Sequence, residues 1–87
     1  MFNYIYMLEH EKYVFIKDGL GELVGTIQNA MPNSVFINAL ASRADHLDQW
    51  SKSVKGLEMG INLSKCDKFI LYKDPEEFFT EFMDAIL

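Results

Sequence analysis

The sequence predicts an α+β fold: one small domain in the order ββαβαβα, a mixed four-stranded sheet with helices packed on it. Three observations carry this. Short aromatic and β-branched runs recur at residues 2–8, 13–16, 35–37 and 69–72. Between them, apolar residues recur at helical spacing. A helix start is written at Asp74-Pro75. Alternating strands and helices after an opening hairpin favour a mixed sheet covered by helices.

Phe2-Asn3-Tyr4-Ile5-Tyr6-Met7-Leu8, the polar Glu9-His10-Glu11-Lys12 and Tyr13-Val14-Phe15-Ile16 predict an antiparallel hairpin over residues 2–17. Asp18-Gly19 breaks it. Leu20, Leu23, Val24 and Ile27 fit one helix face and place a helix over roughly 20–30, ended by Met31-Pro32-Asn33. Val35-Phe36-Ile37 is the third strand. Ser42, with Asp45 three residues on, caps a second helix whose stripe is Leu47, Trp50, Val54, Leu57 and Ile61. Gly56 and Gly60 each cost that helix about 1 kcal/mol, so it ends near Lys55 and restarts. Phe69-Ile70-Leu71-Tyr72 is the fourth strand. In the last helix Asp74 caps, Pro75 opens and Glu77 stands at the third position. Phe78, Phe79, Phe82, Met83, Ile86 and Leu87 form its apolar face, and Glu76, Glu77, Glu81 and Asp84 the other. Six large apolar residues in twelve positions are more than a small sheet easily covers, and surplus apolar surface marks an interface.

Length and composition narrow the class. With 87 residues there is room for a single domain, residues 1–87, without repeat, linker or low-complexity tract. A chain of this size buries only roughly 60% of its unfolded surface, so its stability is modest unless a partner or second copy adds to it. The 49% apolar content excludes disorder. No run reaches the roughly 18 apolar residues of a membrane span, and Met1-Phe2-Asn3-Tyr4 does not open like a secretion signal. A single cysteine, Cys66, excludes an internal disulfide framework and points to a reducing cytoplasm. The net charge is −5, and residues 69–87 hold five acids against one base. An acidic chain without a basic stripe is repelled by phosphate backbones, which disfavours direct nucleic-acid binding.

Candidate sites are few. Gly19, Gly21 and Gly25 form G-x-G-x-x-x-G between an expected strand and an expected helix, the setting in which backbone N–H groups hold phosphate. Asp18 and Glu22 oppose that reading by charge. On a strand, His10 points away from Glu9 and Glu11; on a helix, His46 has no ligand one turn away, so no metal site is expected. Cys66 lies near Lys65 and Lys68, which lower a thiol pKa, but no histidine base is near in sequence. Glu76, Glu77 and Glu81 suit capping and solubility better than acid–base chemistry. Tyr4-Ile5-Tyr6 followed by Tyr13-Val14-Phe15-Ile16 resembles the opening hairpin of the GIY-YIG nucleases, over about the first 17 residues. That resemblance implies a glycine in each strand triad and an arginine on the first helix. This chain has neither, and no site is carried over.

The function expected is a small acidic, non-catalytic protein-interaction module, a regulator or inhibitor that binds another protein, without cofactor. The expected interface is Phe78, Phe79, Phe82 and Met83, or Glu76, Glu77, Glu81 and Asp84 against a basic surface. A homodimer is compatible with it. The alternative is a small-ligand or nucleotide-binding domain using Gly19, Gly21 and Gly25.

Overall fold

The computed structural model describes residues 12–53 and 57–87. It holds six strands: β1 (Tyr13–Asp18), β2 (Gly21–Met31), β3 (Ser34–Ala44), β4 (Ser51–Lys52), β5 (Glu58–Asn62) and β6 (Lys68–Tyr72). A 3-10 turn, Leu63–Lys65, lies between β5 and β6, and two short helices follow, α1 (Pro75–Glu81) and α2 (Met83–Ile86). The sheet order is β4-β3-β2-β1-β6, with β5 also on β3, and all these pairings are antiparallel.

This overturns the ββαβαβα fold. Both interior helices are absent: the expected helix over 20–30 is β2, and the expected helix from Ser42 onward is the end of β3, a turn, β4 and β5. The sheet is antiparallel, not mixed. The physical reason is burial on both faces. Leu23 lies on one face and Val24 on the other, in two separate core clusters, so the strand shows no polar alternation and its apolar residues imitate a helical stripe. The strands at 35–37 and 69–72 are present, within longer β3 and within β6. The first strand of the opening hairpin, at 2–8, lies outside the described residues.

Register shows that the sheet is strongly coiled. Lys68 pairs with Lys17, Lys17 with Glu22 and Glu22 with Arg43, whereas Asn62 pairs with Ser34 at the other end of β3. On a flat sheet Asn62 and Lys68 lie roughly 35 Å apart, from about 30 Å along the strands and about 19 Å across them. The link between them includes the 3-10 turn and reaches only ~20 Å. The sheet therefore curls toward a barrel. Two bulges help it bend. Leu40 is skipped between Ala39, opposite Gly25, and Ala41, opposite Val24; Gln28 is skipped on β2.

Coiling gives two clusters. On the inner face lie Val14, Ile16, Leu23, Val35, Ile37 and Ala39, with Ile61, Leu63 and Cys66 against them. On the other face Tyr13, Phe15, Val24, Ala41 and Tyr72 meet Phe78, Phe82 and Ala85 of the terminal segment. Asp74 accepts from Glu76 N at 3.0 Å and Pro75 occupies the first turn, as the sequence predicts. The expected single helix breaks at Phe82, whose backbone leaves helical geometry (φ −113°, ψ 32°), and α2 continues from Met83 toward β3 and β4.

Gly25 distinguishes the two readings of β2. A Cβ there would collide with the Asn38 backbone oxygen and come within 2.7 Å of Ile37 Cγ2. In a helix, Gly25→Ala stabilises by about 0.5–1 kcal/mol. In this sheet it is expected to destabilise by about 1–3 kcal/mol, measured as a lower midpoint in urea.

Candidate functional site

The terminal segment presents two sides. Phe78 is fully buried, stacked on Tyr13 at 4.8 Å and edge-on to Tyr72 at 5.3 Å. Phe82 is 7% exposed and stacks on Phe15 at 5.3 Å. These two members of the expected interface are core residues. Phe79 is half-buried, while Met83 is 53% and Leu87 81% exposed. With Thr80 and Ile86 they line an outer groove of about 190 Å³. Glu76, Glu77, Glu81 and Asp84 are all exposed, and residues 75–87 contain no basic side chain. Lys52 reaches the segment from β4, donating to the backbone oxygen of Leu87.

A second feature lies where the helices leave the sheet uncovered. Glu22, on β2, receives Nε of Arg43 at 2.7 Å and Nη2 at 2.5 Å on the same oxygen. The Arg43 guanidinium carbon stands 4.5 Å from the Trp50 ring centre, and that ring meets Phe82 edge-on at 6.0 Å. Phe15, Ile70, Lys68, Glu81 and Asp84 complete a cleft of about 320 Å³. Sequence reasoning missed Glu22, Arg43 and Trp50 as a unit. Their only signal is strand register, since Glu22 and Arg43 pair across β2 and β3.

The glycine turn offers no phosphate cradle. No helix follows it: Gly19 lies in the β1–β2 turn, Gly21 opens β2 with φ 153°, and Gly25 is inside the strand. The Asp18 carboxylate already accepts from Leu20 N at 2.7 Å and Gly21 N at 3.1 Å, occupying donors an anion needs. The helix start on which the nucleotide reading rests is a strand start. Beside this turn a mostly apolar hollow of about 280 Å³ is floored by Ile16, Leu23 and Ile61.

His46 is exposed in the turn after β3, and His10 lies outside the described residues. Among the described residues no three His, Cys, Asp or Glu side chains converge for a metal. No helix among them is long and apolar enough to cross a membrane. The segment after Asp18, which in the GIY-YIG resemblance runs into a helix, is a strand.

Among the described residues, two side chains, Cys66 and Tyr72, have displaced pKa values. Burial, then the charges of Asp18 and Asp67, push the Cys66 thiol up, and Sγ lies 3.6 Å from the Asn62 carbonyl oxygen. The lysines that flank Cys66 in sequence do not decide its state. Burial also pushes the Tyr72 phenol up to about 12, aided by the hydrogen bond its hydroxyl donates to Glu81 at 3.0 Å and by the charges of Glu81 and Glu77.

Comparison with protein-family models, with curated proteins and with solved structures returns no match.

Iodoacetamide is expected to alkylate native Cys66 more slowly than a free cysteine peptide near pH 8, because less thiolate is present. Mass spectrometry of timed aliquots measures this, and a rate above the peptide's contradicts it. The folded state holds the Tyr72 proton more tightly than the unfolded state, whose tyrosine titrates near 10. Its contribution to stability is complete below pH ~10 and is lost as pH rises through about 12. Ultraviolet titration should show a phenolate step near 12 that disappears in Tyr72→Phe.

Proposed function

We propose that this chain is a non-catalytic protein-interaction module that docks a partner with a basic surface on the outer face of α1 and α2. The observation that carries the reading is the mostly apolar groove of Phe79, Thr80, Met83, Ile86 and Leu87, on a segment whose charged side chains are all acids and which Lys52 meets at the Leu87 backbone. Exposed apolar side chains supply desolvation energy when covered, and a rim of one charge selects and steers partners of the opposite charge. Phe78 and Phe82 support this surface from beneath by fixing the helices on the sheet. The single cysteine suits a reducing cytoplasm.

A regulator or inhibitor works in this way by occupying a partner's functional surface.

The test is affinity capture from the host lysate with sedimentation of the purified protein, using wild type and Met83→Lys. Met83 is exposed, so the substitution leaves the core intact. A stoichiometric partner retained by wild type, released by raising salt and lost by at least tenfold in Met83→Lys is expected. A wild-type dimer that becomes monomeric in the variant assigns the groove to a second copy. Retention of the same partner, unchanged, by Met83→Lys removes the groove as the docking face.

A further inference from the structure

We propose that the cleft beside the helices is the anchor pocket for an arginine side chain of the docked partner; the inference rests on the interaction reading and names the group that fixes the partner's position. The cleft is lined by the sheet and by Glu81, Phe82 and Asp84 of the terminal segment, the segment that also carries the docking groove. Its floor is Phe15, Ile70 and Phe82, and Trp50 forms a wall.

Its charges are Glu22, Arg43, Lys68, Glu81 and Asp84, three carboxylates against two cations. Arg43 is committed to Glu22 and to the Trp50 ring. Among the described residues neither Glu81 nor Asp84 takes part in an ion pair within 4.0 Å; those found are Arg43–Glu22 and Lys17–Asp45. Glu81 accepts a hydrogen bond from Tyr72 through Oε2 and keeps a second carboxylate oxygen for a ligand. Two carboxylates beside aromatic walls suit a planar cation better than a compact ammonium, because guanidinium bonds carboxylates in a fork while stacking on rings. Arg43 on Glu22 and Trp50 makes this arrangement inside the chain; Glu81 and Asp84, in the same cleft as the Trp50 wall, offer the elements of a second. Lys68 is the competing cation at the cleft edge.

Trp50 is the only tryptophan in the chain, so its fluorescence reports on the cleft directly. The probe is N-acetyl-argininamide added to the full chain, with N-acetyl-lysinamide and N-acetyl-leucinamide as comparisons. A saturable change in Trp50 emission in about the millimolar range is expected for the arginine probe. It should weaken at least tenfold in Glu81→Gln/Asp84→Asn and at least persist in Lys68→Gln. Glu81→Gln keeps an acceptor for Tyr72, and a matching thermal melt confirms that the variant is folded. No saturable change, equal binding of the leucine or lysine probe, or an undiminished response in the double variant overturns the proposal.

The two readings fail separately. Partner capture that depends on Met83, with no argininamide response, removes the anchor and leaves the docking face. An argininamide response lost in the double variant, with capture indifferent to Met83→Lys, keeps the pocket and removes the groove.

Discussion

The stacking of Phe78 and Phe82 on the sheet is the interaction on which the rest depends. α1 has seven residues and α2 four, too short to persist alone in water. Their position comes from burying Phe78 among Tyr13, Tyr72, Phe79 and Phe82, and Phe82 among Phe15, Trp50 and Tyr72. Full burial of one such ring contributes about 2–3 kcal/mol. The same contacts cover the outer sheet face, seat Tyr72 against Glu81 and turn Met83 and Leu87 outward. Core and candidate surface are two sides of one short segment.

The second constraint is coiling. A chain that must pass from β5 to β6 through a short link can do so only if the sheet curls, and bulges at Leu40 and Gln28 supply bend. Curling closes the inner cluster around Ile37 and Val14. It also aligns Lys68, Lys17, Glu22 and Arg43 across four strands at the end the helices leave open. Lys68 directly opposite Lys17 is unfavourable by itself, so carboxylates gather around this row: Asp45 near Lys17, Glu22 on Arg43, and Glu81 and Asp84 across the cleft from Lys68.

Several polar and titratable groups are tied into the fold. The thiol is pushed toward its neutral form, the turn donors are taken by Asp18, and the perturbed tyrosine is held by a structural hydrogen bond. What stays on the surface is apolar area at Met83 and Leu87 and, among the described residues, the charge of Glu81 and Asp84 without an ion pair. The proposed docking of a basic partner rests on these two features.

Some of this was legible in the sequence alone. Asp74-Pro75 stops one element and starts another by local hydrogen bonding and a fixed φ, and it does so in the structure. The runs at 35–37 and 69–72 are strands because β-branched and aromatic side chains suit a pleated surface. The acids of the last segment were legible as an exposed face for the same local reason. Leu23, Val24 and Ile27 were misleading: helical spacing and a strand buried on both faces give the same apolar pattern, and only partners β1 and β3 separate them, while Leu20 of the expected stripe is an exposed turn residue. Leu47, Trp50, Leu57 and Ile61 likewise fit one helical stripe, yet they fall in a turn, a loop, a strand approach and β5. Tertiary structure alone decided which phenylalanines of the last segment are core, because a helix face shows what is apolar but not how much of it the sheet covers. It also brought Glu22, Arg43, Trp50 and Asp84 together, since residues distant in the chain meet only through strand register and the curl of the sheet.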